Sequence, residues 1–214
     1  MSQLVNDFKK RTFEGDVDYE DHHKFLKTYG QYLDIEKPSI ISNITYLVQY
    51  QLGYMYWRYF MWNFSGRQDD IQGKMDMHGN WISGINFLDE IHLGLSQDNL
   101  PSEVLDNNTR NKLYMIPFII GLIGFYFLYN RDKELFWTML VFFIFTGIAI
   151  QVYTNVRPFE PRERDYSVVG SFYVYSMWIG FGIFSITSYL NNLINSKFIK
   201  ILAVPIFILI LPFN

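Results

Sequence analysis

Over residues 167–190 the chain reads SVVGSFYVYSMWIGFGIFSITSYL, without one charged side chain. No other feature narrows the choice of fold so far. A helix crossing a hydrocarbon core roughly 30 Å thick needs about 20 mostly apolar residues. It is favoured there because backbone N–H and C=O groups must satisfy each other where water is absent. A helix on the core of a soluble domain shows a polar stripe every three to four residues, and this run has none. Residues 135–154 read the same way, with Gln151 as the strongly polar exception, and residues 114–129 form a shorter run extensible into polar flanks. A fourth run, 201–213, is too short to span. It reads as a membrane helix cut by the end of the chain, against the competing reading of an interfacial or re-entrant tail. The expectation is an all-α polytopic integral membrane protein with about four transmembrane helices, at 114–130, 134–154, 167–190 and a truncated 201–213.

The first half differs. Residues 1–43 are polar, carry charges of both signs and read as an extramembrane segment. Residues 1–11 do not form a signal peptide, so insertion falls to the internal apolar runs. Residues 44–64 (ITYLVQYQLGYMYWRYFMWNF) are long enough to span, yet hold Gln49, Gln51 and Arg58 among many Tyr and Trp. An arginine in mid-span costs about 2.5–3.5 kcal/mol on insertion scales. A fifth membrane helix and an interfacial aromatic helix therefore both remain open. Residues 65–112, rich in Gly, Asn, Asp and Pro, read as an ordered extramembrane loop ahead of the membrane region 113–214.

Charge and residue usage exclude several classes. A net charge of −3 gives no basic surface, so no nucleic-acid partner is expected. The absence of cysteine removes disulfides, thiolate metal sites and thiol nucleophiles. The chain has no GxSxG, no GxxxxGK[ST] and no GxGxxG, so hydrolase, NTPase and Rossmann chemistry find no support. His22, His23, His78 and His92 lack metal-ligand spacing and read as surface residues. Gly121, Gly124, Gly180 and Gly182 are small residues inside spans, where they let helices approach. Orientation is undecided, because Arg110, Lys112, Arg157, Arg162 and Arg164 on one face oppose Arg131, Lys133, Lys197 and Lys200 on the other.

Two loops carry the residues with chemistry to offer. VRPFEPRERDY (156–166) packs Arg157, Glu160, Arg162, Glu163, Arg164 and Asp165 between two spans, stiffened by Pro158 and Pro161. Arginine forks suit a phosphate at the membrane surface; mutual pairing of these acids and bases is the competing reading. RYFMWNFSGRQDDIQG (58–73) supplies Arg67, Gln68, Asp69 and Asp70 just after the aromatic helix. Adjacent aspartates offer the oxygen ligands that Mg²⁺ or Mn²⁺ prefers, although acids in a polar loop are more often simply solvated. GNWISGI (79–85) is a glycine-punctuated loop with a tryptophan to anchor it at the interface.

MYWRYFMWNFSGRQDDIQG (55–73), GNWISGI (79–85) and PRERDYSVVGSFYVYSMWIGFG (161–182) together resemble the bacterial protein O-mannosyltransferase-like membrane family of the glycosyltransferase C superfamily. The resemblance runs from about residue 29 to the C-terminal end. It implies a polytopic enzyme of the bacterial plasma membrane, with both motif loops extracytoplasmic. Such an enzyme transfers a sugar, expected to be mannose, from a polyprenyl-phosphate donor to Ser or Thr of an acceptor protein. Carried over, Arg67 and Gln68 become substrate-binding candidates at the active-site rim. Arg162, Glu163, Arg164 and Asp165 become candidates for donor-phosphate contact or for bracing their loop. In this superfamily the catalytic acid follows the first membrane helix, and nothing before residue 44 here is such a helix. The chain is therefore expected to be an internal or truncated piece, inactive alone, with any divalent cation belonging to the full-length enzyme. The alternative is a non-enzymatic membrane subunit or transporter component. Against a transporter stands the lack of any ionisable residue inside the spans.

Overall fold

The computed structural model describes residues 2–13, 17–32, 38–71, 73, 78–97, 100–155 and 165–193. These residues are all-α apart from one two-rung β ribbon. Helices α1 (Ser2–Phe13) and α2 (Tyr19–Tyr29) meet through Phe8 and Phe25, whose rings stack at 3.8 Å. Next comes α3, one continuous helix over 40–64. Ser39 opens it, its hydroxyl accepting the Ser42 N–H at 3.1 Å. From Tyr46 to Arg58 the backbone widens to i→i+5 hydrogen bonding, then tightens again over Tyr59–Phe64. Tyr50, Gln51, Tyr56 and Arg58 are buried in the widened stretch, and Phe60, Met61 and Phe64 in the tighter turns after it.

After α3 the chain forms β1 (Gly66–Arg67), α4 (Asn86–Leu93), α5 (Ser102–Leu105) and β2 (Asn111–Lys112). Three helices follow. In α6 (Ile116–Arg131) Pro117 lies in the first turn, where its missing N–H costs nothing. α7 (Lys133–Thr154) starts one residue later, with Asp132 capping it by accepting the Leu135 N–H at 3.0 Å. A short turn at Asp165–Val168 leads into α8 (Val169–Leu193).

Lys133–Thr154 and Tyr166–Asn191 are long and apolar enough to cross a membrane. α6 has 16 residues, so it is about 24 Å long and falls short of a full hydrocarbon core. Two helices thus meet the length test where four were expected. The run 201–213 lies outside the described residues.

α6 and α8 run parallel, with α7 antiparallel between their directions, and glycines set how closely they pack. A methyl group on Gly124 would overlap the Trp178 carbonyl, and one on Gly182 would overlap the Ile120 carbonyl. Gly121 lies under the Tyr175 ring, whose hydroxyl donates to the Phe118 carbonyl at 2.6 Å. Gly180 faces open space, so of the four expected packing glycines it is the one that packs nothing. Gly147, inside a second widened turn of α7 at Phe145–Ala149, lies against Tyr56 and Ser171 and admits α3 to the bundle.

The core is aromatic. Phe60 meets Tyr175 edge-on at 4.7 Å, and Phe64 lies 4.6 Å from the same ring. Phe118, Phe143 and Phe172 close around Phe60 at 5.8–6.3 Å. Tyr56, Trp57 and Phe60 with Phe118, Leu122 and Trp178 border an open crevice of about 360 Å³ whose walls are apolar.

Arg58 settles differently from its expected cost in lipid. It is 6% exposed and sits inside protein, with Nε donating to the Tyr54 carbonyl at 3.1 Å and Nη1 to the Gly79 carbonyl. Its guanidinium also lies 4.4 Å from the centre of the Tyr54 ring. The insertion penalty for a lipid-facing arginine does not apply to a side chain held this way.

Candidate functional site

The GRQ segment leaves α3 directly as β1. Gly66 pairs with Lys112 and Arg67 with Asn111 in antiparallel register, while Trp81 bridges Arg67 from the other side. Gly66 is required at this crossing. Its φ is 149°, and a Cβ there would press on the carbonyls of Asn111 and Ile82. The Arg67 guanidinium lies over Trp62 at 4.2 Å, and the Trp62 indole N–H donates to the Asp69 carbonyl at 3.1 Å. The motif is thereby tied back to the last turns of α3.

Two buried carboxylates hold the rest of the cap. Asp69 accepts the Gly79 N–H at 2.8 Å and the Ile71 N–H at 3.2 Å through one oxygen, and meets His78 Nδ1 at 3.0 Å through the other. Asp89, 1% exposed on α4, accepts the Ser83 N–H at 2.6 Å, the Ser83 hydroxyl at 2.8 Å and the Gly84 N–H at 2.9 Å. Each carboxylate exchanges water for several N–H and O–H donors, which is what allows a charge to be buried. The two aspartates of the DD pair therefore separate in role. Asp69 pins the loop, and Asp70 stays exposed, accepting from the Thr109 hydroxyl at 3.2 Å. Among the described residues no three His, Asp or Glu gather into a cluster able to hold a metal ion.

The GNWISGI loop owes its shape to Asp89. Ile82 and Ser83 are fully buried, and Trp81 stacks on His92 at 4.2 Å. The tryptophan thus anchors α4 to the ribbon. His78 and His92 are exposed, as expected of surface histidines, and each also has a specific partner, Asp69 for His78 and the Trp81 ring for His92. Burial lowers the pKa of His92 below the ordinary imidazole value, against the opposing pull of the Asp89 charge. Its neutral form is favoured in the folded cap.

Of the predicted site residues, Arg67 ends β1 with its guanidinium on Trp62, and Gln68 follows it. The Gln68 N–H donates to the Asn80 carbonyl at 3.0 Å. Arg162, Glu163 and Arg164 lie outside the described residues, and Asp165 starts the turn that leads into α8. Arg110, not singled out as functional, is held in the same cap. Gln68 follows β1 directly and Arg110 precedes β2 directly, each one residue past the end of the ribbon. Arg110 Nη2 donates to Gln97 Oε1 at 2.8 Å, and Gln97, 4% exposed, is itself held by the Leu95 carbonyl at 3.1 Å. Among the described residues, Arg110 Nε and Nη1 and Gln68 Oε1 are buried without a hydrogen-bond partner. Asp89 and Asp69 are near enough to offset part of the cost of burying the Arg110 cation. Its bond to Gln97, thirteen residues away, is made by the fold, and single-sequence spacing carries no sign of it.

No family model, no curated protein and no solved structure matches this chain.

Proposed function

We propose that this chain is the membrane-embedded part of a glycosyltransferase that moves a sugar, expected to be mannose, from a polyprenyl-phosphate carrier to Ser or Thr of a protein. The observation that carries the reading is the joining of two unlike surfaces. An ordered cap bearing Arg67, Gln68 and Arg110 continues directly from α3, and one turn back on that helix Phe60 borders the apolar crevice. A ligand with a polar phosphate-sugar head and a hydrocarbon tail has use for both. Membrane embedding is supported by how little of the apolar helices is covered, since 22% and 28% of their apolar windows are buried. A core helix of a soluble protein would be mostly buried. The exposed side chains include Trp137, Val141, Phe142 and Phe145 on α7 and Tyr173, Met177 and Phe184 on α8.

On this reading the protein belongs to a bacterial plasma membrane with the cap on the extracytoplasmic side, and about four spans in all. Arg67 lies at the rim of the active site, and Arg162 and Arg164 contact the donor phosphate. Cationic donors near the leaving phosphate stabilise the charge that develops there in the transition state.

The test is a photoreactive polyprenyl-phosphate mannose analogue offered to the protein in proteoliposomes. Crosslinking to this chain should be competed by unmodified donor and weakened about tenfold by Arg67→Ala, the loss of one charge-assisted hydrogen bond. Crosslinking that free donor does not compete would sink the transferase reading and favour a non-enzymatic membrane subunit.

A further inference from the structure

We infer that α3 does not cross the bilayer but lies along its surface on the side of the cap, docked onto phospholipid by Ile40, Ile41, Ile44 and Val48. This rests on the membrane embedding proposed above and adds the placement of α3 to it. Three contacts carry that placement. Gln51 Nε2 donates to Asn155 Oδ1 at 2.6 Å, just past the last residue of α7. Arg58 donates to the Gly79 carbonyl in the cap. The Ser65 carbonyl accepts the Leu113 N–H at 3.2 Å, just ahead of α6. Because α6 and α7 join at Asp132, the start of α6 and the end of α7 lie at the same end of the bundle. As helix, the stretch from Gln51 to Ser65 is about 20 Å long, and a spanning helix would use that length to descend towards Asp132. Both of its ends are held at the opposite end instead. The two faces of α3 agree with this. Tyr56, Phe60 and Phe64 lie against Phe172 and Tyr175 in the first turns of α8. Arg58 and Trp62 reach the other way, to Gly79 and Asp69.

The N-terminal part of α3 continues beyond these contacts with an amphipathic pattern. At 3.6 residues per turn Ile40, Ile41, Ile44 and Val48 share one arc, and Ser42, Thr45 and Gln49 share the other, without a charge between them. The apolar arc is uncovered, with Ile40 and Ile41 78% and 77% exposed and Ile44 and Val48 each 54%. Exposed aromatic rings mark the depth at which this arc sits. Tyr114 before α6, Tyr153 in the last turn of α7, Tyr166 ahead of α8 and Trp57 on α3 itself all lie at this end. Tyr and Trp gather where headgroups meet acyl chains. A helix at that depth buries its apolar face in the acyl boundary and leaves its polar face to water. Residues 1–39 hold no apolar run of spanning length, so α1 and α2 then stay on the side of the cap.

The experiment uses the full chain, which has no cysteine of its own, in sealed phosphatidylethanolamine–phosphatidylglycerol vesicles. A nitroxide is attached in turn to Ile44→Cys, Ser42→Cys and Phe142→Cys, all exposed positions, and its collisions with oxygen and with a water-soluble nickel chelate are measured. We expect the oxygen-to-nickel ratio at Ile44 to match that at Phe142 on α7 and to exceed that at Ser42 several-fold. A ratio at Ile44 as low as at Ser42, with Phe142 still rich in oxygen, would overturn the docking stripe and leave the bundle embedded. The stripe would then face water or a partner protein. A nickel-rich Phe142 would instead sink the embedding itself, and this inference with it. The placement of α3 has its own readout. An impermeant maleimide should reach Glu20→Cys on α2 from the same face as Glu103→Cys on the cap, and labelling from opposite faces would show that α3 crosses.

Discussion

Asp89 shows how a single side chain sets the shape of the cap. It is almost fully buried, and its two oxygens receive the N–H groups of Ser83 and Gly84 and the Ser83 hydroxyl. The Ser83 hydroxyl in turn accepts the Ile85 N–H at 3.0 Å, so the turn and the start of α4 depend on the same carboxylate. Asp89→Ala would strand two backbone donors in a dry environment, where each unpaired group costs about 1–3 kcal/mol. The expected outcome is a cap destabilised by about 3 kcal/mol, read as faster proteolysis within 79–110 while the bundle stays intact. Glu90→Ala, on the exposed side of the same helix, should change stability by no more than about 0.5 kcal/mol. Equal proteolysis of the two variants would contradict this account. Of these residues the sequence made Gly79, Trp81 and Gly84 conspicuous and left Asp89 unremarked. A carboxylate used as an internal acceptor has no local spelling, because its donors are brought to it by the fold.

At the scale of elements, the three helices after residue 113 were legible because long uncharged apolar runs leave few alternatives to helix, although only two of the three are long enough to cross a bilayer. α3 was less so. A reading at 3.6 residues per turn does not anticipate the wide turns of Tyr46–Arg58, within which Tyr50, Gln51, Tyr56 and Arg58 are buried. The ring ladder Tyr46, Tyr50 and Tyr54, with spacings of 5.2 and 5.8 Å, lies along the same widened stretch. The glycines of α6 and α8 give a sharper comparison. All of them look alike in sequence, yet Gly124 touches the backbone of the neighbouring helix and Gly180 touches nothing. In a bilayer, where lipid tails are as apolar as the side chains, close backbone approach is a main source of helix affinity. Gly124→Val should therefore force α6 from α8 and cost about 1–3 kcal/mol, as overpacking generally does. Gly180→Ala should leave thermal unfolding in detergent unchanged. Similar losses from both substitutions would show that helix propensity, and not the contact at Gly124, governs these positions.

For the whole molecule the decisive property is which ends of the bundle see water on which side. The cap hangs on the N-terminal end of α6, where Leu113 and the ribbon lead into the helix. Asp132 and Lys133 turn the chain at the other end, and both are exposed. Between these ends the outward faces of α6, α7 and α8 are apolar, with Leu122, Tyr126, Phe142, Phe145 and Phe184 each more than 40% exposed. A soluble bundle with this much uncovered apolar surface would need a partner for it. A bilayer covers it without one, and α6, at about 24 Å, is shorter than a span because the cap and the Asp132 turn take over at its ends. The chain has no cysteine, so single thiols report cleanly. A cysteine at Glu103, exposed on the cap, and one at Lys133 should react with a membrane-impermeant maleimide from opposite faces of sealed vesicles. Labelling of both positions from one face would mean that α6 does not carry the chain across. The exposed apolar faces would then have to be the docking surface of a partner protein, and the polyprenyl-phosphate reading would lose the bilayer on which it depends.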